Sequence, residues 1–111
     1  MITNYLFLNR ELLDKVYVTL GNILVVTKSR TDAVNFYNEL LMKYSGQHGV
    51  LRDDSEMSIA SKAHKVTVRA ARNKEEFDCF RDDIFTKVYA VGFYSDEELE
   101  FLNLCVKDIS K

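Results

Sequence analysis

Residues 22–44, NILVVTKSRTDAVNFYNELLMKY, decide the fold. Ile23, Leu24, Val25 and Val26 follow one another without a polar interruption, and three of the four are β-branched. Such a run suits a strand covered on both faces, so it is expected at the centre of a sheet. The pattern then changes to a helical period. Ala33, Phe36, Tyr37, Leu40, Leu41 and Tyr44 form one stripe, which predicts a helix ending shortly before Gly46. Ser29 and Asp32 stand at capping-box spacing with Asp in the usual Glu position, and Thr31 is the alternative cap.

Toward the amino terminus, Leu12, Leu13, Val16, Tyr17 and Leu20 fit a helix over residues 9–20, with Asn9 as its N-cap and Gly21 as the left-handed residue that stops it. A strand over 16–20 in a hairpin through Gly21-Asn22 is the rival. Toward the carboxyl terminus the pattern weakens over 47–63. It returns at 65–69, where Val66 and Val68 alternate with Lys65, Thr67 and Arg69, predicting a strand with one wet face at a sheet edge. Asn73 can cap a helix with Glu75 and Glu76 in its first turn and Phe77, Phe80, Ile84 and Phe85 inward. Residues 88–93 read as a buried strand. Ser95 and Glu98 form a capping box opening a last helix to Ile109 that buries Leu99, Leu102, Val106 and Ile109.

Three strand-helix units in succession imply right-handed crossovers. The expected fold is α/β: a small Rossmann-like three-layer sandwich, with a mostly parallel sheet and helices on its faces. At 111 residues the chain suits one domain, 1–111, and 47% hydrophobic with 29% charged residues is ordinary for a globular protein. Its net charge of −2 provides no global field toward nucleic acid or an anionic membrane. No apolar run approaches the ~18 residues of a membrane span, and residues 1–8 lack a basic leader, so a cytoplasmic location and no membrane partner are expected. Cys79 and Cys105 are far apart and read as small buried hydrophobes. His48 and His64 have no ligand-spaced partner, so neither metal nor cofactor is expected.

No motif reaches a catalytic signature. The glycine-rich turn of a dinucleotide site, the Lys-closed phosphate loop and the nucleophile elbow are all missing. Asp53-Asp54 and Asp82-Asp83 are sequence neighbours that point apart, and Asp96-Glu97 fall where first-turn acids support a helix. Two cationic groupings remain. Lys28, Ser29, Arg30 and Thr31 put cations and hydroxyls at a helix amino terminus able to hold a phosphate. Lys62, Lys65, Arg69 and Arg72, with His64 and Lys74 nearby, make a basic stripe if the wet strand face joins the following turn, which suits a nucleic-acid backbone or an acidic protein.

Residues 22–44 resemble the strand-plus-helix unit of the RecA-like ATPase core of phage large terminase subunits and related helicases. Residues 65–93, with Phe80-Arg81-Asp82-Asp83 and KVYAVGF, are similar in layout to the segment leading into that family's acidic metal-binding strand. The sequence departs from the family where its chemistry lies: no Lys sits in a phosphate loop, and Gly92-Phe93 stand where the acidic pair would end the strand. The resemblance thus implies a non-hydrolysing remnant, in a phage or mobile-element setting, that keeps the sheet as a nucleotide-binding or other scaffold. The function expected is a non-enzymatic binding module acting on a protein partner, self-association included. Nucleic-acid binding through the basic stripe is the alternative.

Overall fold

In the computed structural model, which describes residues 2–5, 8–62, 64–77, 84–92, 95–105 and 107–108, the run at Ile23 to Val26 lies in the strand around which the sheet is arranged. The elements are β1 (Ile2–Tyr5), α1 (Arg10–Val18), β2 (Gly21–Thr27), α2 (Arg30–Lys43), β3 (Leu51–Asp53), β4 (Ser58–Ser61), β5 (His64–Ala70), α3 (Lys74–Phe77), β6 (Ile84–Phe85), β7 (Lys87–Val91), α4 (Asp96–Cys105) and β8 (Lys107–Asp108). Six strands form one sheet in the order β1-β7-β2-β5-β4-β3, and β6 pairs with β8 in a small second one.

The expected Rossmann-like sandwich with a mostly parallel sheet is corrected to a mixed sheet. β1–β7, β7–β2 and β2–β5 are parallel, whereas β5–β4 and β4–β3 are antiparallel. The physical reason lies in residues 47–63. Only two residues separate β4 from β5, too few for the crossover that parallel neighbours need, so the chain doubles back as a meander.

β2 has β7 on one side and β5 on the other. Ile23 and Val25 join Val66, Val68, Tyr89 and Val91 in a cluster completed by Leu12 and Val16 of α1 and Phe36 and Leu40 of α2. Leu24 and Val26 join Val88 and Ala90 in a second cluster with Ala71, Phe85 and Leu102 of α4. Alternate residues of β2 therefore go to opposite faces, and Ile23 to Val26 are all fully buried. Each such side chain contributes about 1.5–3 kcal/mol of transfer free energy. Among the described residues, none of β3 or β4 joins the second cluster, whereas Ile59 of β4 joins the first, which holds the buried side chains of α1 and α2.

Local signals explain the helix ends. Asn9 caps α1, its Oδ1 accepting the Leu12 N–H at 2.9 Å. Ser29 caps α2, its Oγ accepting the Asp32 N–H at 3.2 Å. At α4 the capping box is reciprocal: the Ser95 N–H donates to Glu98 Oε1 at 2.8 Å and the Glu98 N–H to Ser95 Oγ at 3.1 Å. Among the described residues no helix is long and apolar enough to cross a membrane.

Several expected boundaries move. The strand at 65–69 is interior, between β2 and β4, because the meander covers its far side; its wet face is reduced, and Thr67 is buried. Of the helix expected from Asn73 through Phe85, α3 at Lys74–Phe77 is present, residues 78–83 lie outside the described residues, and Ile84–Phe85 is a strand paired with Lys107–Asp108. That pairing also ends α4 at Cys105, before Ile109, and no basic residue supports its last turn. β1 adds a parallel edge strand at Ile2–Tyr5, a segment for which the sequence predicts no element. Phe80, Val106, Ile109 and the Cys79 and Cys105 side chains lie outside the described residues.

Gly21 opens β2 rather than ending α1, which stops at a Thr19 C-cap. Its φ is +109°, and a Cβ there would overlap Thr86 Oγ1. Thr86 cannot easily yield, because its Oγ1 accepts the Asn22 N–H at 3.1 Å and its own N–H donates to Asn22 O at 2.9 Å. Gly21→Ala should therefore cost about 1–3 kcal/mol through strain and displacement of Thr86. Urea unfolding checks this; an unchanged midpoint would mean the turn relaxes freely.

Candidate functional site

Adjacent strands β2 and β5 send the chain to opposite faces of the sheet. After β2, α2 packs into the cluster on one face; after β5, Ala71 packs into the cluster on the other, and α3 meets α4. The Ala71 N–H donates to Thr27 O at 2.8 Å, closing the strand pair just before the chains part. In open α/β sheets, ligands bind at the carboxyl ends of strands whose connections diverge in this way.

A cavity of about 440 Å³ opens there, lined by Lys28, Ser29, Arg30, Ala70, Arg72 and Glu76. It joins members of both cationic groupings in the sequence. Lys28, Ser29 and Arg30 come from the β2–α2 turn, and Arg72 from the β5–α3 turn. The first N–H groups of the fourteen-residue α2 also lie at this turn, where the helix dipole favours an anion. Thr31 does not join them; with Arg30, Val34 and Asn35 it lines a separate shallow hollow.

The basic stripe is divided. Lys62 precedes β5, whose seven residues span roughly 20 Å, so it is at the opposite end from Arg69 and Arg72. Lys65 is engaged by Glu56, Nζ to Oε1 at 3.4 Å. Arg69 lines a second cavity, about 400 Å³, that shares Arg30 and Ala70 with the first and extends past Tyr37 of α2 to the β3–β4 turn.

Two acidic partners were not legible as such. Lys28 Nζ lies 3.3 Å from Glu98 Oε1, and Arg72 Nε lies 3.3 Å from Glu76 Oε1. Glu98 was readable as half of a capping box, but its reach across 70 residues to Lys28 has no sequence signal. The Ser95 N–H and, less strongly, Lys28 hold its carboxyl below the usual range. The Arg72–Glu76 pair is largely exposed, so it is weak enough for an incoming anion to compete with Glu76.

In the second cavity, Arg52 donates to both oxygens of Asp54, from Nε at 2.9 Å and Nη2 at 2.8 Å. The Tyr37 hydroxyl donates to Asp54 Oδ1 at 2.8 Å. Asp54 is held below its ordinary pKa, chiefly by Arg52 and then by Tyr37; Tyr37 is pushed up to about 12, first by burial and then by Asp54. The adjacent Asp53 fixes the turn, its Oδ1 accepting the N–H groups of Ser55 and Glu56 and the Ser55 hydroxyl. The acids of Asp53-Asp54 are thus committed to the turn and to Arg52. Among the described residues no group of three His, Cys, Asp or Glu side chains is placed to hold a metal.

Compared with protein-family models, curated proteins and solved structures, the chain matches none.

Tyr37 and Tyr44 provide a controlled comparison. Both are buried, but among the described residues the Tyr44 hydroxyl has no hydrogen-bond partner. Tyr37→Phe should cost about 1 kcal/mol, whereas Tyr44→Phe should be neutral or stabilising, because it deletes a buried polar atom with no bond to lose. Equal losses in urea unfolding would show that the Tyr44 hydroxyl has a partner.

Proposed function

We propose that this chain is a small non-enzymatic α/β binding module whose ligand carries phosphate, held between the amino terminus of α2 and the β5–α3 turn. The observation that carries the reading is the convergence of Lys28, Arg30 and Arg72 on one cavity at the diverging strand ends. An arginine fork matches phosphate oxygens in two parallel hydrogen bonds, and the helix terminus supplies further donors. The reading overlaps with the nucleotide-binding remnant that the sequence resemblance implies, and a nucleic-acid backbone offers the same group. Lys62 has no part in it.

Inorganic phosphate and pyrophosphate are the probes. Saturation at 100 times the dissociation constant should stabilise the fold by about 2.7 kcal/mol, read as a rise in melting temperature. Backbone amide shifts in NMR should centre on Lys28 to Arg30 and Arg72, and Arg30→Ala should weaken binding several-fold. No thermal or amide shift at millimolar phosphate or pyrophosphate would sink this reading.

A second reading, protein binding that includes self-association, draws on the open edge of β3. Leu51 is 74% exposed, and all three β3 residues face solvent on a strand whose outer edge has no neighbour among the described residues. It ranks below the first because the charges of Arg52 and Asp53 discourage strand pairing. Light scattering at high concentration tests self-association: wild type should show a dimer that Leu51→Lys abolishes, and a strictly monomeric wild type would remove it.

A further inference from the structure

The charge left over around the diverging strand ends is not confined to the cavity that the helix terminus marks. Nearby cations are neutralised in pairs: Lys28 by Glu98 at 3.3 Å, Arg52 by Asp54 at 2.8 Å, Lys65 by Glu56 at 3.4 Å and Arg72 by Glu76 at 3.3 Å. Among the described residues, Arg30 and Arg69 enter no ion pair. Both line the second cavity, and Arg30 lines the first as well. The carboxylates bordering the second cavity do not cancel them, because Asp54 is gripped by both Nε and Nη2 of Arg52 while Glu56 accepts from Lys65 and from Ser58 Oγ at 3.0 Å.

We infer that the second cavity is a second anion subsite, and that the ligand therefore carries two phosphoryl groups in one chain, bridging Arg30 with the far group on Arg69. The inference rests on the phosphate reading above and extends it from a single group to a ligand class. Two guanidinium groups with no carboxylate of their own present a fork-shaped donor array, which an incoming phosphate can occupy without displacing a protein acid. The Ser55 and Asn38 side chains add neutral polar groups to the same wall. The class has two sources, a free nucleoside polyphosphate and the backbone of a single-stranded nucleic acid, because both carry successive phosphates on a flexible chain.

The test titrates the full chain and its Arg69→Ala, Arg69→Gln and Arg72→Ala variants with orthophosphate, tripolyphosphate, ATP and a single-stranded oligonucleotide. Circular dichroism selects whichever Arg69 variant keeps the native fold. Wild type should bind tripolyphosphate more tightly than orthophosphate. Losing Arg69 should weaken tripolyphosphate about tenfold, the scale of one charge-assisted contact, and should weaken it more than it weakens orthophosphate. Arg72→Ala should weaken both. Whichever of ATP and the oligonucleotide shows the same dependence on Arg69 identifies the source. If the Arg69 variants bind tripolyphosphate as wild type does while Arg72→Ala does not, the second subsite is overturned and the single-phosphate reading stands. If wild type binds neither orthophosphate nor tripolyphosphate, both fall.

Discussion

β2 has no side chain between Ile23 and Val26 that can face water, and the rest of the structure answers that constraint. A strand buried on both faces needs a neighbour on each edge and a layer on each side. β7 and β5 provide the edges; α1 and α2 provide one layer, and α4 with Ala71 and Phe85 provides the other. Because the cover on the two faces comes from different connections, the chains leaving β2 and β5 have to separate. The cavity with Lys28, Arg30 and Arg72 is a geometric by-product of covering an apolar strand twice. Its position is set by the core, and only its charge is set by the surface residues.

What was legible in the sequence follows from the range of each signal. The N-caps at Asn9 and Ser29 and the Ser95–Glu98 box are contacts over three residues, and each was readable as spacing. The central position of β2 was readable because an uninterrupted apolar run has few other uses. The alternation at 65–69 was real, since Val66 and Val68 do share one core cluster, but alternation identifies a face and not a neighbour. Only the meander of β3 and β4 places β5 in the interior, and its weak pattern at 47–63 hid it. β6 and β8 fall inside segments whose sequence predicts helix, because two residues are too few to carry a period of their own; their pairing depends on chain segments 23 residues apart in register.

The candidate site was legible in composition and illegible in geometry. Its two cationic turns were visible separately, yet their meeting requires the parallel register of Thr27 with Ala70. Thr31 and Lys62 looked equivalent to their neighbours in sequence and are separated by helix rotation and by the length of β5. The acids that matter most for the charge balance, Glu76 and Glu98, had sufficient local roles as first-turn and capping residues. A chain with 15 basic and 17 acidic side chains can still hold two arginines that enter no ion pair among the described residues, because pairing is decided locally.

The insertion of β7 between β1 and β2 has a consequence for the order of assembly. Ile2 is aligned with Val88, and Leu24 with that same residue, so two strands made early have no common neighbour until a strand made late becomes available. The β2–β5 pair with its meander can form as soon as β5 exists, but β1 must wait. Closing contacts of such long sequence separation raises contact order and slows folding. On a ribosome, the growing chain would carry β2 with one edge of backbone N–H and C=O groups unpaired until β7 emerges, and that interval is when the protein is most open to mispairing.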